Sequence, residues 1–349
     1  MSGAWTPAGA RELRVGLAGL GSMGRNHLRL LSSWPGVTLA AVADPFEASL
    51  ADAVAKTGAQ GFADPAEMLR EGGLDAVVIA APTTYHAALA HAAIEQGIAV
   101  LVEKPLAATV DDAVAILQAS RAAGVPVAVG HVERFNPAVL ELGRLLKAGW
   151  LSNVFAITSR RAGPFPARIR DVGVTVDLAT HDVDILSWVA GERPTRVYAE
   201  TAQRIHADHE DLLFGLMHFP SGATGYLDVN WLTPAKRRQL VVTGEEGMFE
   251  LDYLTQQLTF TKADTTNPQL IAGYAPTFAG DVAVLPVASG EPLAAELDAF
   301  LRVVREGGRP VVDVEDGLWA VGLATALLRA SKDRAPVDLT ELAARLAAL

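Results

Sequence analysis

The sequence predicts an α/β chain in two parts: a doubly wound parallel sheet over residues 13–131, then a region, 132–349, dominated by short strands. Three observations carry this. From Leu13 to residue 129, short apolar runs alternate with helix-like segments at the spacing of parallel βαβ units. The first apolar run passes without a break into a glycine-rich turn, Gly19-Leu20-Gly21-Ser22-Met23-Gly24, and then into a helix-like stretch. Beyond Thr195, several short runs alternate apolar and polar residues, as strands do in a sheet with one covered and one open face.

At 349 residues the chain is long enough for two domains, each with its own core. Half the residues are hydrophobic and a fifth are charged, a globular composition. Asp plus Glu outnumber Lys plus Arg by 40 to 29, which argues against nucleic acid or an anionic membrane as partner. Without cysteine there are no disulfides, no thiolate catalysis and no Cys-type zinc site. No apolar run approaches the roughly 18 residues of a membrane span. Residues 1–12 lack a basic stretch followed by an apolar core and read as a flexible tail on a cytoplasmic protein.

Leu13–Ala18 is the first strand, and the helix after the glycines carries Leu28, Leu30 and Leu31 and ends near Trp34-Pro35-Gly36. Val37–Ala43 is the second strand, closed by Asp44-Pro45. Strand, glycine turn, helix, strand and acid in this order form a dinucleotide fingerprint. Gly19 and Gly21 permit a tight turn and a close approach of backbone to pyrophosphate. Gly24 lets helix and strand pack closely, and the helix start at Ser22 and Met23 faces the phosphates. Asp44, twenty positions past Gly24, is placed to grip the adenosine ribose hydroxyls. Its carboxylate repels a 2′-phosphate, and Pro45 stands where a basic residue would serve one, so NAD is favoured over NADP.

Helices at 47–57 and 64–71 lead to a strand at 76–80, which ends in Ala81-Pro82-Thr83-Thr84. A helix at 86–96 is closed by Gly97, and a helix at 110–123 by Gly124, before the last strand at 125–129. Pro82, Thr83 and His86 lie on the cofactor edge by topology. For His86 a polar first-turn role is the plainer alternative, and His91 reads as a surface residue. Between these helices, a strand at 99–102 runs straight into Glu103-Lys104-Pro105. Proline fixes its own φ and restricts the residue before it. Lys104 is thereby held at the carboxyl end of a parallel strand, where open α/β sheets bind ligands. Glu103 and Lys104 join the expected cofactor-binding residues.

In the second region, Gly130 to Pro137 leads into a helix at 138–148, a strand at 154–160 and a loop rich in Pro and Arg. A helix at 174–189 then places Asp177 and His181 four residues apart on one face. A carboxylate stacked on an imidazole is a general-base arrangement, although a solvated helix face shows the same pair. Asp182 and Asp184 read as caps or surface partners. A metal reading of Asp177, His181, His206 and His209 lacks a ligand motif, so no metal is expected. Strands follow at 196–203, 212–219, 223–231, 239–243, 247–251 and 257–261, with 206–210 a polar turn and Lys236-Arg237-Arg238 a solvated strand entry. Helices at 292–305 and 314–330 are placed to pack back on the first domain.

The glycine fingerprint, Glu103-Lys104-Pro105 and the Asp177…His181-Asp182 helix together resemble the glucose-fructose oxidoreductase/inositol dehydrogenase/rhizopine catabolism (Gfo/Idh/MocA) family, over about Arg14 to Ala330. The resemblance implies a Rossmann domain followed by an α+β domain with an open, largely antiparallel sheet, through which members form homodimers or homotetramers. It assigns catalysis to Lys104, Asp177 and His181, with the lysine touching both the reacting hydroxyl and the nicotinamide ribose. Gly130–Pro137, the run from Gly163 to Val174 and Asn230-Trp231-Leu232-Thr233-Pro234 look like the UDP-N-acetylglucosamine 3-dehydrogenase branch of that family. A nucleotide sugar brings a diphosphate that guanidinium groups grip bidentately, so Arg134, Arg161, Arg168 and Arg170, with Asn136, Asp177 and His181, are the expected substrate contacts.

The function expected is NAD-dependent oxidation of a secondary hydroxyl on a sugar, foremost the 3-hydroxyl of a UDP-N-acetylhexosamine. Sugar phosphates, free sugars and inositols are the rivals within the same chemistry. A non-catalytic NAD-binding regulator on the same fold is the alternative of another class.

Overall fold

The computed structural model describes residues 5–166, 172–263 and 281–348. It divides into two compact units, Met1–Val132 with Leu293–Gly322, and Glu133–Pro292 with Leu323–Leu349.

The first unit opens with β1 (Leu13–Ala18), α1 (Ser22–Leu31), β2 (Val37–Ala43), α2 (Glu47–Thr57), β3 (Gln60–Phe62) and α3 (Pro65–Glu71). It continues with β4 (Ala76–Ile79), α4 (His86–Glu95), β5 (Ala99–Glu103), α5 (Val110–Ala123) and β6 (Val127–Gly130). The six strands are all parallel in the order β3-β2-β1-β4-β5-β6. That order reverses between β1 and β4, which puts the ligand crevice outside their carboxyl ends. Strands covered on both faces are continuous apolar runs: every residue of β4 is buried, as is every residue of β5 up to Glu103. Local chemistry bounds the helices. Asp64 caps α3 ahead of Pro65, Thr109 caps α5 by accepting from Asp112 N, and Gly124, at φ 67°, ends α5 in the left-handed region. β3 escapes sequence reading because three residues around a glycine carry no alternation; a Cβ on Gly61 would stand 2.8 Å from Val54.

The second unit contains α6 (Pro137–Lys147), β7 (Val154–Ala162), a π-helical turn (Thr175–Ala179) and α7 (Thr180–Ala190). Seven strands follow: β8 (Arg196–Ala202), β9 (Leu212–His218), β10 (Thr224–Asn230), β11 (Arg237–Gly244), β12 (Gly247–Asp252), β13 (Gln257–Lys262) and β14 (Val282–Leu285). The chain ends with α8 (Pro292–Glu306), α9 (Val314–Asp333), β15 (Val337–Asp338) and α10 (Thr340–Ala347). The nine-stranded sheet runs β14-β13-β12-β11-β7-β10-β9-β8-β15, and only β10 beside β7 is parallel. β9 alternates along its length and β10 as far as Val229, with Leu213, Gly215, Met217, Gly225 and Leu227 buried and their neighbours outward.

Three sequence expectations change. The stretch taken as a flexible tail is tied down from Trp5, which packs on the first unit's core, while Ala8 N and Gly9 N donate to Val304 O and Arg305 O at 2.9 Å. The helix over 174–189 starts as a π turn, its entry pinned where Val174 N and Thr175 N donate to Glu210. Arg237 and Arg238 lie inside β11, paired with β7, instead of before a strand.

Candidate active site

The glycine turn is built for close approach. Gly19 has φ +93°, and a Cβ there would stand 2.6 Å from the backbone of Ala80; one on Gly24 would stand 1.9 Å from Gly19 O. Gly21 faces open space. Ser22 and Met23 begin α1, whose first-turn N–H groups have no intrahelical acceptor. Asp44, at the end of β2, folds back on this turn: its carboxylate accepts from Leu20 N at 2.7 Å and Phe46 N at 2.8 Å. Its remaining lone pairs suit the vicinal hydroxyls of a ribose and repel a phosphate in their place. The residues present therefore fit NAD. Pro82 is exposed and Thr83 half-buried in the turn after β4.

At the end of β5 the peptide joining Lys104 to Pro105 is cis, Lys104 is half-buried, and Leu106 is fully buried beneath it. Two neighbours expected to touch the cofactor point elsewhere. Glu103 turns inward to His27 Nε2 at 2.8 Å and accepts from Lys104 N at 3.3 Å. His86 is buried, with Nδ1 2.8 Å from Pro105 O and Nε2 2.8 Å from Ala81 O. Burial pulls its pKa down against those two carbonyls. A neutral ring donates to one of these carbonyls at a time, so His86 lies between the loop after β4 and the loop bearing Lys104, each nitrogen facing a main-chain oxygen.

In the second unit Asp177 lies in the π turn and His181 in the first turn of α7, both half-buried. Around them the expected arginine clamp resolves differently. Arg134 is buried against Asp184 through two bonds of 2.7 and 2.6 Å. Arg161 is buried between Asp182, at 2.9 Å from Nε, and Glu133, at 2.9 Å from Nη1, with its guanidinium 5.3 Å from the centre of the Tyr253 ring. Although burial opposes its charge, Asp182 and Glu133 hold Arg161 protonated. Asp182 and Asp184 are therefore interior anions, not caps or surface partners. Removing one partner of such a pair costs about 3–5 kcal/mol, so both arginines serve the fold. Asn136 is spent as well: it caps α6 by accepting from Ala138 N and donates to Tyr253 O. Arg168 and Arg170 lie outside the described residues.

Arg238 is the residue that sequence reading missed. It stands opposite Arg161 across β11 and β7, half-buried, with Nη1 donating to Ala162 O at 2.9 Å. Burial first, and Arg161 second, bring its pKa down to about 10, while Asp182, Glu133 and Asp177 oppose the shift. Among the described residues its Nε and Nη2 meet no acceptor. The signal in the sequence was an arginine two and four residues ahead of Leu240 and Val242, on their face at strand period. Of the four residues in the metal reading, His206 is buried with Nδ1 accepting from Asp208 N and His209 N.

Residues 13–131 match the description "Oxidoreductase family, NAD-binding Rossmann fold", and residues 139–250 match the C-terminal domain of the same family, together well over half of the chain. The chain belongs to the Gfo/Idh/MocA oxidoreductase family. Among curated relatives, the scyllo-inositol 2-dehydrogenase (NAD(+)) of Bacillus subtilis strain 168 is 27% identical, covering 94% of this chain and 96% of its own length. The UDP-N-acetylglucosamine 3-dehydrogenase of Acidithiobacillus ferrooxidans is 28% identical, covering 86% and 91%. Among solved structures, the WlbA dehydrogenase from Bordetella pertussis, in complex with NADH and UDP-GlcNAcA, matches with a TM-score of 0.78 at 25% identity, over 94% of this chain and 99% of that one. This Gfo/Idh/MocA protein is an NAD-binding oxidoreductase. No described helix is long and apolar enough to cross a membrane.

Proposed function

We propose that this dehydrogenase oxidises a secondary CH–OH of a nucleotide sugar, the 3-hydroxyl of a UDP-N-acetylhexosamine. His181 accepts the hydroxyl proton, and Asp177, one turn before it, orients the ring. Lys104 donates to the substrate oxygen and stabilises the negative charge that develops there. Bound NAD supplies the hydride acceptor for the same carbon.

The observation that carries the nucleotide-sugar reading is Arg238. Its guanidinium has an open edge, and it is close enough to Asp177 for that carboxylate to favour its charge. An anionic substrate seated at Asp177 finds its counter-ion there; a neutral polyol has no use for one. The second reading, an inositol, is favoured by the 27% identity with the scyllo-inositol 2-dehydrogenase over nearly both whole chains. In either case the enzyme acts as a homo-oligomer, joined through the open face of the second unit's sheet, where Phe214, Leu216 and Tyr226 are exposed.

The test is NADH formation with UDP-N-acetylglucosamine, its uronic acid, glucose 6-phosphate, scyllo-inositol and myo-inositol, using a carbonyl trap to draw the oxidation forward. Turnover confined to the UDP-sugars is expected; turnover with an inositol alone refutes the nucleotide-sugar assignment. Lys104→Met is expected to remove turnover while NAD still binds, and near-full activity in that variant would overturn the role given to Lys104.

A further inference from the structure

Behind the Lys104 loop, wholly within the first unit, lies a group of three buried side chains that the proposed chemistry does not use. His27 belongs to the buried stripe of α1 with Gly24, Leu28 and Leu31. Glu296 belongs to the buried stripe of α8 with Leu293, Leu297, Phe300 and Leu301. An imidazole and a carboxyl thus occupy positions whose helical spacing calls for apolar side chains. Glu103 meets them from the end of β5, and one ligand atom from each of the three lies within 4.8 Å of the others. The approach of Glu103 depends on a glycine in β6, since a Cβ on Gly130 would stand 3.0 Å from its Oε2.

A His27–Glu103 ion pair alone would be complete at 2.8 Å. Glu296 is what it leaves unexplained. The residue is 2% exposed, and neither carboxyl oxygen has a hydrogen-bond partner; His27 Nδ1, also buried, has none. Buried polar atoms are otherwise nearly always paired, and two carboxyls this close are relieved either by a proton held on one of them or by a positive centre between them.

We propose that His27, Glu103 and Glu296 form a binding site for one divalent metal ion of the zinc class. One imidazole nitrogen and two carboxylate oxygens are a three-ligand zinc set, with a fourth position for water, and two carboxylates cancel the charge of the ion. The second carboxylate oxygen of Glu103, held by Lys104 N, supplies an outer hydrogen bond of the kind that orients metal ligands. Such an ion fastens α1, which begins at the glycine turn, and α8 to the base of the Lys104 loop.

The full-length protein, purified without chelator, is expected to carry about one zinc per chain by elemental analysis. Stripping with dipicolinate should lower the thermal midpoint, and Zn²⁺ alone should restore it. Glu296→Gln keeps the side-chain shape and removes the charge; it should bind zinc at least tenfold more weakly by equilibrium dialysis and melt at the same temperature with or without chelator. Glu296→Leu removes the ligand and fills the site with apolar atoms. Metal-free wild-type protein whose melting responds to neither dipicolinate nor Zn²⁺, with Glu296→Leu melting higher, would overturn the site and leave a buried neutral acid in its place. These readouts are independent of the substrate panel.

Discussion

Arg161 and Arg238 face each other across paired strands, and their surroundings give them separate tasks. Arg161 arrives where two carboxylates already wait, and its charge is consumed inside the unit. Among the described residues Arg238 donates only to the main-chain carbonyls of Ala162 and Arg237, and its remaining edge is the one proposed for the substrate. A charge-assisted hydrogen bond of that kind contributes about 1.5–3 kcal/mol, equivalent to roughly 10- to 100-fold in affinity. Arg238→Met is therefore expected to raise KM for a UDP-sugar by about that factor while kcat stays within a few-fold. Steady-state kinetics with the favoured substrate checks this. An unchanged KM would remove Arg238 from the substrate contacts.

At the scale of elements, the turn from β8 to β9 shows how one acid can organise a loop. Asp211 is fully buried and accepts from the backbone N–H groups of Arg204, Ile205 and His206. Burial alone would raise its pKa, but these donors outweigh burial and hold it below the usual carboxylate value. The stabilisation is therefore complete above the unfolded pKa, about 3.9, and fades as pH falls through the lower folded value. Asp211→Asn should cost about 1–3 kcal/mol at pH 7 in urea unfolding, with the gap to wild type closing as pH drops below about 4. A gap that does not change with pH would mean that the charge is not what the loop uses. The same scale shows what sequence makes legible. The glycine turn could be read because its pattern is local: Gly19 sits at φ +93°, and a Cβ on Gly24 would run into Gly19 O five residues before it. The sequence places Asp177 and His181 one turn apart, but a 3.6-residue pattern does not reveal that the turn between them is a wider π turn. Asp182 and Asp184 were assigned to the surface because polarity in a helix points outward by default, whereas their partners Arg161 and Arg134 come from 21 and 50 residues away. Glu103 and His86 were misplaced for a related reason: topology put them at the right edge of the sheet, and only side-chain packing turned them inward.

For the whole molecule, the homo-oligomer proposed above rests on the outward face of the nine-stranded sheet. Phe214 on β9 stacks with Tyr226 on β10 at 6.4 Å, and Leu216 stands directly opposite Tyr226 in the register. On β9 and β10 these three exposed side chains form an apolar cluster of the kind that marks a protein contact. Leu216→Glu is expected to lower the mass measured by light scattering to that of a single chain while NAD binding persists. A wild-type protein that is already monomeric at micromolar concentration would refute the interface.

The nucleotide-binding unit is not a continuous piece of chain. Leu297, Phe300, Leu301 and Val304 of α8 complete the core formed by β1, β2, β4 and α1, although most of the second unit lies between them in sequence. On the ribosome, β1 to β6 emerge early, yet the apolar surface destined for α8 must stay bare until translation has passed residue 306. The first half to be made is thus among the last to finish folding. Cutting the gene after residue 131 yields a fragment that displays that surface to water, and such a fragment calls for chaperones where the intact chain supplies its own cover.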